Sequence, residues 1–394
     1  MTLSNKNMAI APSPTLSIDA KYKEMLANGI DVVGFGAGEP DFDTPEHIKK
    51  AAIDAINNGQ TKYTPAAGTL ALRKAIAKKF KEDNNLDYAP SQVVVSNGAK
   101  HSLVNAFSAV LNPGDEVIIP APYWVSYTEM VKLADGVPKL VHASEEQQFK
   151  ITPEQLEEAI TAKTKAVIIN SPSNPTGMIY SPEELKTLAE IAVKHDLVII
   201  ADEIYEKLVY DGKHVSIASF SEEIKDHTIT INGVSKTYAM TGWRIGYAAA
   251  NDKIAKIMAN VQSHASSNPN SIAQAATIAA LEGPTEDIDI MRDTFAKRRE
   301  YMVDRINKID GVSCIMPQGA FYIMMNIKEL FGKEIRGKVI NSSDEFAEHL
   351  LQEEKVALVP GAGFGAEGYV RWSYATSMEN INKGLDRLEK FLNS

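Results

Sequence analysis

Between residues 68 and 250, short apolar runs alternate with stretches of helical period. Val93-Val94-Val95, Val117-Ile118-Ile119, Ala166–Asn170, Val198-Ile199-Ile200 and Gly246–Ala250 are brief and almost uniformly apolar. Such runs predict strands buried on both faces. The alternating Thr228-Ile229-Thr230-Ile231 and the extended Val137–Val141 add two more. Leu70–Asp83, Ser102–Leu111, Tyr127–Ala134, Pro153–Ile160 and Pro182–His195 have helical spacing, with Pro113-Gly114 as one stop. This alternation predicts an α/β fold built on a mostly parallel sheet covered on both faces. Such sheets gather ligands at the carboxyl ends of their strands.

Outside that block the pattern changes. Asp252–Val261, Asn268–Leu281 and Ile288–Lys308 predict helices. Beyond them, Val312–Ile315, Ala320–Met325, Val356–Val359 and Tyr369–Ser373 read as strands, with Ser343–Glu353 and Glu379–Leu392 as helices, an α+β unit. At the other end, Pro12 and Pro14 precede a helix-like Asp19–Asn28. A strand-like Asp31–Gly38 follows, and then a helix from Pro45 to about Asn57. The N-terminal arm is expected to pack with the C-terminal unit.

A chain of 394 residues exceeds one ordinary core and predicts two or three domains. Its composition, 44% hydrophobic and 23% charged, is that of a globular protein. The net charge of −10 leaves no basic excess for nucleic acid or an anionic membrane, although a local cationic pocket stays open. A single cysteine, Cys314, excludes an intrachain disulfide and a multi-cysteine metal site, and its apolar setting reads as core. With no leader-like start and no apolar run of membrane length, the expected location is cytoplasmic.

The polar clusters fall just after the strands. Ser96-Asn97-Gly98-Ala99-Lys100 is a strand-to-helix turn whose free N–H groups suit an anion. Pro172 and Pro175 stiffen Asn170–Gly177 and fix Asn174 near its tip. Asp202, in Asp202-Glu203-Ile204-Tyr205, is either a helix N-cap or a carboxylate that must meet a cation. Ser235-Lys236 alone reads as a solvated surface lysine, but Arg244 follows on the same stretch. Together these supply a lysine for imine chemistry and, in Ser235 and Arg244, groups for a phosphate. They also supply an acid for a protonated pyridine nitrogen, Asn174 and Tyr205 for a phenolate, and Trp124 to stack on a flat ring. That set fits pyridoxal 5'-phosphate. Gly34-Phe35-Gly36-Ala37-Gly38 is not a dinucleotide loop, because its spacing is wrong and Glu39-Pro40 cannot open a helix.

On Ser235-Lys236-Thr237 with Met240–Gly246, Asn174–Gly177 and Asp202–Tyr205, the chain resembles the class I and II aminotransferases. Gly36–Phe42, Thr61-Lys62-Tyr63, Tyr123-Trp124 and Val370–Ala375 are similar to their bacterial aspartate aminotransferase branch, and the likeness runs from Pro12 to about Leu392. The resemblance implies the PLP-dependent transferase fold. A large domain with a mostly parallel seven-stranded sheet would span 45–290, and a smaller α+β domain, 1–44 with 291–394, would close over the substrate.

Several residue roles come with the resemblance. Lys236 would carry the cofactor and shuttle the proton, with Asp202 on the pyridine nitrogen and Asn174 and Tyr205 on the phenolate oxygen. Gly98, Ala99, Lys100, Ser235 and Arg244 would hold the phosphate, and Tyr63 would reach that of the neighbouring subunit in a homodimer. Arg371 would clamp the substrate α-carboxylate beside Gly38 and Asn174. Ser263–Pro269 lacks the second arginine of the better-known branch, so Lys100, with a hydroxyl near Thr15, is expected to read the distal carboxylate. The implied reaction moves the amino group of L-aspartate to 2-oxoglutarate; aromatic amino acids or alanine are the alternative donors. Ala11 replaces the lysine of prephenate-using members, and prephenate is not expected.

Overall fold

The computed structural model describes residues 1–393. Its main sheet has seven strands: β1 (Val93–Ser96), β2 (Glu116–Ala121), β3 (Val137–His142), β4 (Thr164–Asn170), β5 (Val198–Asp202), β6 (Thr228–Gly233) and β7 (Gly246–Ala249). They lie in the order β1-β7-β6-β5-β4-β2-β3, all parallel except β7, which is antiparallel to both neighbours. The uniform runs have the expected cause. Val93 and Val95 pack into one layer of helices with Leu72, Ile76 and Ala276, while Val94 faces the other with Leu103 and Phe107. Both faces of the central strands are therefore dry and period-two alternation disappears there, while the edge strand β3 stays partly exposed.

A second, three-stranded antiparallel sheet is built from β8 (Tyr322–Asn326), β9 (Val359–Pro360) and β10 (Tyr369–Ser373), with β10 in the middle. Its core joins Val33 and Phe35 of the N-terminal arm to Phe295, Phe321, Trp372 and Leu388. The arm joins this unit through Val33–Gly34, parallel to Val356–Ala357, with Phe35 also bonding the Ala357 carbonyl and the Ser373 N–H.

The structure departs from expectation at a few elements. The first long helix is Pro14–Ala27, because Pro14 takes its first turn after Ser13. The helix after β1 is Ala99–Val110, entered directly from Gly98 at φ +88°, where glycine is favoured. Val312–Ile315 is not a strand. Only Ser313 bridges to Asn326, and the Asn307 side chain bonds both the N–H and the C=O of buried Cys314. Val356–Val359 is split between two sheets.

Candidate active site

A cavity of about 440 Å³ opens where the carboxyl ends of the main strands meet the small sheet and the N-terminal arm. Thr15, Gly38, Ala99, Lys100, Trp124, Asn174, Asp202, Tyr205, Ser235, Lys236, Arg244 and Arg371 line it. Gly98 lies just behind the wall, where a Cβ would sit 2.4 Å from Arg244 Nη2. Tyr63 is elsewhere, 90% exposed on the outer surface.

The anion cradle follows from backbone proximity. β1 and β7 pair with Ser96 opposite Gly246, and a Cβ at Gly246 would come within 2.1 Å of Ala99 N. Only glycine lets the two turns approach so closely. Arg244, in the left-handed region at φ +58°, donates to Thr241 O (3.0 Å) and Asn97 O (3.3 Å), which folds its guanidinium over the Gly98 turn. Lys100 places its ammonium 4.8 Å from the centre of the Trp124 ring, with its pKa lowered by burial and by Arg244.

The ends of β4 and β5 are locked together. Asn170 stands opposite Asp202, donates to Asp202 O (2.8 Å) and accepts from Asn174 N (2.8 Å). Asp202 is buried, and burial raises its carboxyl to about 6, against hydrogen bonds from Tyr127 Oη (2.6 Å) and Ile204 N. Lys236 donates to Gly38 O, and burial pulls its ammonium down to about 8. The Gly38 strap is held in turn by Thr241 Oγ1 on Glu39 (2.7 Å) and by a two-pronged Arg298–Asp41 pair.

Arg371, in the middle of β10, is only 2% exposed. It donates to Asn174 Oδ1 (2.9 Å) and Gly36 O (2.8 Å), between the rings of Tyr322 (4.4 Å) and Phe364 (4.9 Å). Its Nε has no partner, and among the described residues no carboxylate pairs with it. A buried guanidinium facing a cavity with only neutral partners is suited to an anion.

Residues 30–388 match the family described as aminotransferase class I and II. The chain belongs to that family. It is 52% identical over 393 residues to an aspartate aminotransferase of Bacillus subtilis, covering 100% of this chain and 99% of the relative. It is 46% identical over 396 residues to an aspartate/prephenate aminotransferase of Nitrosomonas europaea, with both chains fully covered. Among solved structures, the aspartate aminotransferase of Rhizobium meliloti superposes with a TM-score of 0.96 at 44% identity, covering 100% and 99% of the two chains. That of Thermus thermophilus with maleate gives 0.94 at 43%, with full coverage of both.

Class I and II aminotransferases use pyridoxal 5'-phosphate. The residues present fit it. The glycine-walled turn under Arg244 can take a phosphate, Asp202 a protonated ring nitrogen, Trp124 a flat ring, and Lys236 a carbonyl carbon. Sequence reasoning missed Tyr127, Tyr322, Glu39 and Thr241, all on the cavity wall. Tyr127 carried the one available signal, lying three residues after Trp124, whose carbonyl accepts its N–H at the start of the helix Ser126–Leu133.

Proposed function

We propose that this aminotransferase moves the amino group of L-aspartate to 2-oxoglutarate, giving oxaloacetate and L-glutamate in two half-reactions. The observation that carries the reading is Arg371, a buried guanidinium without an acidic partner, lining the same cavity as the lowered ammonium of Lys236. An amino acid presents the complementary carboxylate and amine a few ångströms apart.

When bound, the cofactor supplies an electron sink for the pair freed as the substrate Cα–H bond breaks. The chain's own residues do the rest. Arg371 takes the α-carboxylate through two parallel bonds and, with Asn174, fixes the Cα–H relative to the ring. Lys236 Nζ, neutral for part of the time near pH 7, accepts that proton and returns it on the other side of the transfer. Asp202, mostly ionised above about 6, keeps the ring nitrogen protonated. Tyr205, on the same wall, would hydrogen-bond the ring oxygen through its hydroxyl. Lys100, over Trp124 at the cavity wall, takes the distal carboxylate, with Thr15 as a second donor.

We assign residues 45–290 and 1–44 with 291–394 to two domains, the smaller closing over the substrate and excluding water. The enzyme works as a homodimer in the cytoplasm, with Tyr63 entering the partner's phosphate site. Among the described residues no helix is long and apolar enough to cross a membrane.

The test is the absorption spectrum of the purified protein as aspartate and then 2-oxoglutarate are added. A visible band should fall with aspartate and return with the oxo acid, more readily than with alanine or aromatic donors. No band, or one indifferent to aspartate, would refute the proposal.

A further inference from the structure

Tyr322 lies on β8 opposite Ser373, diagonal to Arg371, which pairs with Met324. In an antiparallel sheet such diagonal neighbours share a face. Its ring, 1% exposed, lies 4.4 Å from the Arg371 guanidinium. Its hydroxyl lies 2.9 Å from the hydroxyl of Tyr205, and a Cβ on Gly38 would come within 3.0 Å of it. A tyrosine serving only the core needs any acceptor, as nearby Tyr374 finds in the backbone oxygen of Ala320 (3.3 Å). Tyr322 instead spends its face on the substrate-carboxylate cation and its hydroxyl on a phenol of the cavity wall.

We propose that Tyr322 is a positioning residue with two separable roles, its ring holding the Arg371 guanidinium for carboxylate recognition and its hydroxyl supporting hydrogen-bond donation by Tyr205 toward the cofactor ring. The proposal rests on the aminotransferase reading of this cavity. When Tyr205 gives its proton to the ring oxygen, its own oxygen is left to accept, and the Tyr322 hydroxyl is within reach to donate. Donation into Tyr205 polarises it and strengthens the bond it makes in turn. The ring face works separately, holding the guanidinium by cation–π attraction in a dry setting where that attraction is strongest.

Two substitutions separate the halves of the device. Tyr322→Phe keeps the ring and removes the hydroxyl, whereas Tyr322→Leu removes both. In the cofactor-loaded dimer, the pH midpoint of the visible band should rise by about half a pH unit in the Phe variant, because the ring oxygen's anion loses support. KM for aspartate should stay within about twofold of the parent in Tyr322→Phe and rise about tenfold in Tyr322→Leu. An unchanged midpoint in Tyr322→Phe, or a KM raised as much by Phe as by Leu, would overturn the two-role assignment while leaving the aminotransferase reading intact. A parent protein with no visible band would overturn both. If Tyr322→Leu does not fold, the midpoint and KM of Tyr322→Phe still decide.

Discussion

Burial does most to hold the Lys236 ammonium down near 8; Glu39 opposes it, while Arg244 and Arg371 add to it. Only the neutral amine attacks a carbonyl carbon, so uptake of pyridoxal 5'-phosphate by cofactor-free protein should speed up as pH passes about 8 and then level off. Stopped-flow absorbance from pH 6 upward reads this, and a midpoint in the ordinary lysine range would contradict it. Lys100 is a second residue with a separable role. Replacing it by alanine should lower kcat/KM for aspartate relative to alanine by about tenfold or more, the worth of one charge-assisted bond. An unchanged ratio would remove Lys100 from substrate recognition. Lys236, Arg244 and Asn174 were legible because lysine after a strand, arginine near it and an amide between prolines are rare in combination. Tyr322 was not, since a tyrosine in an apolar segment looks the same whether its hydroxyl meets a backbone oxygen or another phenol, and Tyr127, although close to Trp124, does not announce Asp202 as its partner.

Strand β5 ends in three carboxylates within five residues, Asp202, Glu203 and Glu206, all buried. Apolar runs announced the strand, but nothing local announced what neutralises its end. Lys79, from the helix Leu70–Asn84, pairs with Glu206, and Asn84 Nδ2 donates to it (2.7 Å). Glu203 receives Ser216 Oγ (2.8 Å), Ile217 N (3.2 Å) and His214 Nε2 (3.2 Å). Glu203, Glu206 and His214 converge within 4.8 Å, a spacing that could hold a metal, yet the Lys79 ammonium already supplies the positive charge. Burial alone would raise the Glu206 carboxyl, but Lys79, His214 and Asn84 outweigh it and hold it near 2. Its contribution to stability is therefore present above the ordinary carboxylate range and lost as pH falls toward 2. Lys79→Met strands a buried charge and should destabilise the protein by about 3–5 kcal/mol at pH 7. The deficit should shrink near pH 4 as the carboxyl takes up a proton, and Glu206→Gln in the same chain should restore much of it. Thermal unfolding of the single and double variants checks all three outcomes. The Lys79 and Asn84 contacts to Glu206 join segments more than a hundred residues apart, which is why periodicity recovered the helices and strands but not this ion pair. Val312–Ile315 failed for a related reason: apolar residues predict burial, but the Asn307 side chain takes the Cys314 backbone groups and only Ser313 bridges to a neighbouring strand.

At the scale of the whole molecule the informative residue is the one outside the cavity. Tyr63 is 90% exposed, yet the segment bearing it is held firmly. Buried Gln274 donates to Thr64 Oγ1 (3.0 Å) and receives Thr69 N (2.8 Å), while buried Gln262 donates to Ala66 O and Val95 O, both at 2.6 Å. Holding an exposed aromatic on so fixed a loop is costly for a monomer and useful for a dimer that places it in the neighbour's phosphate site. Complementation separates the two cases. In a mixed dimer of Lys236→Ala and Tyr63→Ala chains, one site combines the intact lysine of one subunit with the intact Tyr63 of the other, and the second site lacks both. Random exchange of equal amounts makes about half the dimers mixed, so about a quarter of all sites become whole if Tyr63 acts across the interface. Activity after co-refolding should then exceed the sum of the two separate variants, approaching that fraction of the parent. If Tyr63 serves its own subunit, every mixed site keeps a defect; if it serves only the surface, Tyr63→Ala chains are already active alone; in neither case is activity gained on mixing.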